Sequence, residues 1–194
     1  MELDHASKEI LENNGFKPYK KNQYVLIRDD MLFYLSFQGK KKDIYIWYAV
    51  YPLCLPNISF GSGWGKSAGR KPEKENELFI NKETEISNVS KNLSSIVKDE
   101  YLPFITQIHS LKDIAEMYSP WHAAGFSFLA LGEYKKGINY LKEYKKFKES
   151  LSEYSTVEKE IDDFINNAQE ANIDSLLEHQ RKLNISKLRL SRYI

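Results

Sequence analysis

The chain has 194 residues, with 28 Lys and Arg against 27 Asp and Glu, and a net charge of +1. That balance argues against a dedicated nucleic-acid binder, which is normally strongly basic. The single cysteine, Cys54, rules out an intrachain disulfide, and nowhere is there an unbroken apolar run of the roughly 20 residues that span a membrane. At 42% hydrophobic residues the chain can bury a core without disulfides or metal. Met1 to His5 carry no basic and apolar leader, so a cytoplasmic protein is expected. Cys54, between Leu53 and Leu55, reads as a small buried hydrophobe.

A short helix is expected first. Leu3, Ala6, Ile10 and Leu11 keep helical spacing, and Gly15 is a natural C-terminal cap. Three strands follow, at 23–28, 31–38 and 44–51, with Asp29-Asp30 and Gly39 to Lys42 as turns. Connections this short imply an antiparallel meander. Phe33, Leu35 and Phe37 share one face of the second strand. In the third, Ile44, Ile46, Tyr48 and Val50 oppose Tyr45, Trp47, Ala49 and Tyr51, so both faces are largely apolar. The Tyr and Trp face is either covered by loop 52–80 and later helices or left as a binding surface.

Residues 52–77 read as a long polar loop, with a short strand possible at 78–80. A helix is expected from about Ile86 to Tyr101, broken or kinked at Pro103. Ser110 to Asp113 resembles a capping start for another. From 119 to 150 the pattern is a helical hairpin turned at Gly132. A helix opened by Ser155-Thr156-Val157-Glu158 comes next, with Asp162 and Asp163 facing water in different directions. The last helix begins near Asp174 and ends in a basic tail with Arg181, Lys182, Lys187, Arg189 and Arg192. That tail reads as a solvated helix end or as an attachment for an acidic partner. The fold class is α+β: an N-terminal helix, an antiparallel β-meander packed by helices, and a C-terminal helical hairpin with an extension. Residues 1–118 form the α+β part and 119–194 a helical extension packed on it, as one structural unit.

Two catalytic patterns overlap in Gly61-Ser62-Gly63-Trp64-Gly65-Lys66-Ser67-Ala68-Gly69. Gly65-Lys66-Ser67 resembles the end of a phosphate-binding loop, but Phe60 stands where that motif needs glycine. An amphipathic helix should also begin at the Lys, and Pro72 and charged residues follow instead. Gly65-Lys66-Ser67-Ala68-Gly69 matches G-x-S-x-G, yet it lacks the helix a nucleophile elbow requires. No metal-ligand spacing occurs. No catalytic residue, metal or cofactor is therefore assigned. What remains is a flexible loop with an aromatic side chain and cations, suited to contact.

Trp121, Gly125, Phe128, Leu131-Gly132, Tyr134 and Gly137 resemble one tetratricopeptide repeat, with glycine at 137 where that repeat prefers alanine. A single copy implies one hairpin packed on the rest, since such arrays need about three. Glu12 to Lys17, the Gly and Arg loop, Tyr101-Leu102-Pro103-Phe104 and Ile108 to Asp113 together resemble an uncharacterised bacterial family of unknown function. The likeness covers residues 5–118, and such domains are similar to immunity proteins of toxin systems. It implies a non-catalytic binder of a cognate protein toxin, without membrane attachment. Trp47, Trp64, Lys66 and Arg70 are the expected contact residues. Two alternatives are an anionic-ligand domain or small enzyme using loop 61–71, and a helical scaffold module.

Overall fold

Asp29 and Asp30 both take the left-handed conformation, with φ of 49° and 60°. Two such residues in a row make the hairpin turn whose twist suits its flanking strands. Arg28 pairs directly with Met31 across it. This turn is the first link of a meander in the computed structural model, which describes residues 5–40, 43–58, 60, 66–68, 94, 97–117, 122–150 and 156–194. Helix α1 (His5–Asn13) leads into strands β1 (Lys17–Lys20), β2 (Gln23–Arg28), β3 (Met31–Lys40), β4 (Asp43–Pro52) and β5 (Lys66–Ala68). They form one antiparallel sheet in sequence order. The α+β class holds, and the expected strands at 23–28, 31–38 and 44–51 are β2, β3 and β4. Among the described residues no helix is long and apolar enough to cross a membrane.

Two strands differ from expectation. β1 contains Pro18 and three exposed residues, so it carries no apolar alternation. It is an edge strand, where proline is tolerated because the missing N–H costs no ladder bond. β5 lies inside the segment expected to be a polar loop. That segment also begins with buried Leu53, Cys54, Leu55 and Ile58. The expected strand at 78–80 and most of the helix expected over 86–101 fall outside the described residues, and the end of that helix, 97–101, is a π-helical turn.

β3 is buried on both sides, from Leu32 and Tyr34 on one face to Phe33, Leu35 and Phe37 on the other. On the Phe33 face Tyr24 meets Phe37 edge-on at 6.4 Å, and Leu11 and Phe16 from the α1 end are buried in the same core. On the Tyr34 face, Phe60 stacks flat over Tyr34, with ring centroids 4.3 Å apart and planes within 4°. Ala49 and Tyr51 on that face are also buried. Of the two readings of this face, cover holds at Tyr34, Ala49 and Tyr51, with Phe60 of the segment after β4 lying on Tyr34. The side chains of Tyr45 and Trp47 lie outside the described set.

The helices follow. A π-helical turn (Val97–Tyr101) runs into α2 (Leu102–Thr106), then α3 (Leu111–Met117). Pro103 stands directly after the π-helical turn, so the chain stays helical through the proline and changes helix type beside it. It is the second residue of α2, where its fixed φ suits a helix and its missing N–H removes one bond to the preceding turn. The capping start at 110–113 forms as expected. The Asp113 carboxylate accepts from the backbone N–H of His109 at 2.7 Å and of Ser110 at 2.8 Å. These bonds, that from His109 first, hold the Asp113 carboxyl below its ordinary range. Asp113→Ala should cost about 1 kcal/mol, as lost helix caps do. That lowers Tm by roughly 2–4 °C in a chain of this size. A group with a depressed pKa stabilises above its unfolded value and loses this as pH falls through its folded value. The Tm gap to wild type should therefore close in acid, which thermal melts from pH 7 down to 3 would check.

The hairpin is α4 (His122–Ala130) and α5 (Tyr134–Ser150), joined at Gly132 with φ +79°. α4 is buried over Ala123 to Leu129, so its sequence shows no amphipathic stripe. Leu131 lies beyond its end and is exposed, rather than lining it. Helix α6 (Thr156–Asn167) packs back on the hairpin, where Phe126 meets Phe164 at 5.0 Å. Asp162 does not simply face water, since Lys145 Nζ lies 2.7 Å from its Oδ1.

Helix α7 (Ile173–Lys187) ends in a full Schellman motif. Arg189 N donates to Ser186 O at 3.0 Å and Leu190 N to Ile185 O at 2.7 Å. Arg189 takes the left-handed position with φ 54°, where glycine is favoured and another residue costs ~1–2 kcal/mol. The chain then closes as a 3-10 turn (Ser191–Tyr193) against β1. Tyr193 Oη donates to Pro18 O at 2.8 Å, and Tyr19 Oη donates to Leu188 O at 2.9 Å. Leu190 and Tyr193 are buried, so the basic tail is anchored, while Arg189 and Arg192 are exposed.

Candidate functional site

The loop that carries both catalytic patterns is partly a strand. Lys66, Ser67 and Ala68 pair with Ile46, Tyr45 and Ile44 of β4. A phosphate loop needs its Lys and Ser at a helix N-terminus, where backbone N–H groups converge. A nucleophile elbow needs its Ser at a strand-to-helix turn. Lys66 and Ser67 sit within β5, so this backbone meets neither requirement. Trp47 lies in β4 opposite Ser36, one residue from the Ile46 that pairs with Lys66. The structure thus brings Trp47 and Lys66 onto neighbouring strands. Trp64 and Arg70 lie outside the described residues.

A second place draws together residues far apart in sequence. Helices α6 and α7 and the segment after β4 enclose an open groove of about 690 Å³. Pro56, Phe164, Leu176 and Leu183 supply apolar surface. Glu160 and Asp163 face in from α6, and His179 and Lys187 from α7, with amides of Asn57, Asn167 and Asn172 at the margins. Leu183 is 46% exposed, although the neighbouring Asn184 is 2% exposed. This inverts the usual arrangement and marks the spot.

Asn184 explains how the groove keeps its shape. Its side-chain N–H₂ donates to Leu53 O at 2.7 Å and to Leu55 O at 2.8 Å. Its Oδ1 accepts from Gln180 at 3.2 Å. Buried amides are kept when their bonds are made, and here the bonds pin the segment after β4 to α7. Lys187 Nζ reaches Asn57 Oδ1 at 3.3 Å, and Asn57 turns the chain with φ 53°. At the other end Asn172 ties the α6–α7 turn, donating to Asn167 O at 3.0 Å and accepting from Gln169 N at 2.8 Å. Both walls are therefore set by side chain to backbone bonds.

Behind α6 lies a buried polar cluster. Tyr144 Oη donates to Glu158 Oε1 at 2.9 Å, and the His122 ring lies 4.7 Å from that of Tyr144. Burial holds His122 down to about 4, the reverse of the attraction from Glu158, so the imidazole is neutral at pH 7. The cluster joins α4, α5 and α6. Cys54 lines a smaller cavity of about 140 Å³ with Leu111, Ala130 and Leu177, near the Arg181–Asp30 ion pair at 2.7 Å. Burial raises its thiol to about 12, so it stays protonated and is a poor nucleophile. Among the described residues no group of three or more His, Cys, Asp or Glu is placed to hold a metal ion.

The groove residues are hard to find in the sequence. Leu176, Leu177 and Leu183 read alike as core positions of a helix. Only Leu177 is buried, because the bonds of Asn184 turn that face of α7 inward. Comparison with protein-family models, curated proteins and solved structures finds no match. The functional reading rests on the geometry and on the sequence patterns.

Proposed function

We propose that the chain is a non-catalytic protein-binding protein of the bacterial immunity type, acting in the cytoplasm by direct binding to a cognate toxin. The observation that carries the binding reading is exposed Leu183 in a groove lined by both apolar and polar side chains. That is the anatomy of a protein interface, in which a few apolar anchors supply most of the affinity. The immunity class is supported by the resemblance of residues 5–118. Trp47, Trp64, Lys66 and Arg70 are proposed as a second contact set.

The test is co-expression with the toxin encoded by the neighbouring gene, scored by cell survival and by a complex on size-exclusion chromatography. Leu183→Asp is expected to leave Tm within about 2 °C, as exposed substitutions do. It should weaken the complex by at least roughly tenfold, the loss of one anchor contact. Trp64→Ala with Arg70→Ala tests the second set in the same assay. A stable complex untouched by Leu183→Asp would remove the groove from the reading. No complex and no protection would remove the immunity reading.

A further inference from the structure

The C-terminal turn and β1 build a basic, aromatic surface apart from the groove. Segments 17–21 and 188–194 touch through the Tyr193 hydroxyl bond to Pro18 O and the Tyr19 hydroxyl bond to Leu188 O. Between them they hold Lys17, Lys20, Lys21, Arg189 and Arg192 and no Asp or Glu side chain. All five are exposed, and none forms a salt bridge among the described residues. Lys20 Nζ lies 5.2 Å from the Tyr19 ring centre, and the Arg192 guanidinium 4.8 Å from that of Tyr193. The two rings are 6.0 Å apart. Arg189 lies close enough to pull down the Tyr19 hydroxyl, which burial pushes up.

We infer that this surface docks an acidic protein segment, rich in Asp and Glu. Two features favour that occupant. First, the net charge is +1, so removing these five cations leaves 1 − 5 = −4 on the remaining chain. A short acidic segment is matched to a patch of this size, whereas a long polyanion such as duplex nucleic acid would extend beyond its five cations. Second, the outer edge of β1 is occupied. Tyr193 Oη donates to Pro18 O at 2.8 Å and Arg192 to Tyr19 O at 3.3 Å. Strand addition is blocked there, and the occupant is read by charge and ring contacts. Arg189 adds a third mark, a cation kept at a left-handed position that suits glycine.

The experiment measures anisotropy of a fluorescein-labelled poly-L-glutamate peptide with the full chain, at low salt and at about 0.15 M, where the screening length is near 8 Å. Binding that weakens with salt is expected. Arg189→Gly should raise Tm by roughly 2–4 °C by relieving the left-handed strain. The same variant combined with Lys20→Gln should weaken binding by roughly tenfold. Lys142→Gln with Lys146→Gln, exposed on α5, removes the same charge elsewhere and should leave binding within about twofold. Equal losses from the two pairs would overturn the site, as would absent binding of poly-L-glutamate. A single-stranded DNA oligonucleotide or a phosphatidylserine vesicle bound more tightly through Lys20 and Arg189 would overturn the acidic-protein occupant. Because no toxin is used, the outcome is independent of the groove and the immunity reading.

Discussion

Asn184→Asp is expected to be the most damaging near-isosteric change in this protein. The native amide points its N–H₂ at Leu53 O and Leu55 O, 2.7 and 2.8 Å away. A carboxylate there would face two carbonyl oxygens with no proton to offer. Buried and uncompensated charge costs about 3–5 kcal/mol. At roughly 2–4 °C per kcal/mol that is a Tm loss on the order of 10 °C. The sign with pH is definite. Burial and the two carbonyls raise the folded-state pKa of the new acid above its unfolded value. The folded form then keeps its proton over a window where the unfolded form has lost it, so stability falls as pH rises through that window. Below it, the protonated acid can still donate one bond. Melts of wild type and variant at pH 4 and pH 7 should show the smaller gap at pH 4; equal gaps would mean that the site is not sealed. Asn184→Ala should cost less, about 2–3 kcal/mol, since it leaves two carbonyls unpaired but buries no charge. Either change frees the segment after β4 and should loosen the groove wall at Pro56 and Asn57.

The second large effect is expected at Gly137. A Cβ there would lie 2.6 Å from Leu129 Cγ and 2.8 Å from Gly125 O. The first contact involves a core side chain and the second a backbone atom. Neither a rotamer change nor a small shift relieves both. Overpacking of this kind costs ~1–3 kcal/mol, with backbone contacts at the upper end. Alanine returns up to about 1 kcal/mol as a better helix former. The net loss for Gly137→Ala is then about 2 kcal/mol, or roughly 4–8 °C in Tm. Gly125→Ala should cost less. Its Cβ meets Leu141 Cδ2 at 2.6 Å and Cγ at 2.8 Å, but the nearest backbone atom, Gly137 O, is 3.3 Å away, so only a side chain must give. Gly132→Ala has open space but a φ of +79°, so its cost is backbone strain alone. Parallel melts of the three variants check the ranking, and a Gly137→Ala protein as stable as wild type would mean that α4 and α5 are not in this contact. The tetratricopeptide pattern prefers alanine at 137. Here α4 and α5 cross too closely for it, which supports one tight hairpin over a repeat unit.

Much of the fold was legible in the residues. β-branched and aromatic runs between turn signals marked β2, β3 and β4, Asp29-Asp30 marked a turn, and Ser110 to Asp113 marked a helix start. The glycines at 125 and 137 announced a close hairpin. Each of these signals is local, so neighbours in sequence suffice to read it. The overlapping motifs at 65–69 were discounted from sequence because the residues after them do not read as the helix they need. The strand at Lys66–Ala68 adds the reason in three dimensions.

The remainder was decided by partners far along the chain. β1 has polar residues and a proline, and becomes a strand because β2 offers it a ladder while the tail bonds its outer carbonyls. The basic tail reads as solvated, yet Leu190 and Tyr193 anchor it in the core. Leu183 reads as core and is exposed, while Asn184 reads as surface and is buried beside Leu53 and Leu55. The sequence by itself determined the class, most of the elements and the absence of a complete catalytic motif, since helix and strand periods and caps act over a few residues. Only the tertiary structure decided where apolar and charged side chains remain available to a partner. That depends on which surfaces are already covered, and contacts 130 to 175 residues apart in sequence do the covering.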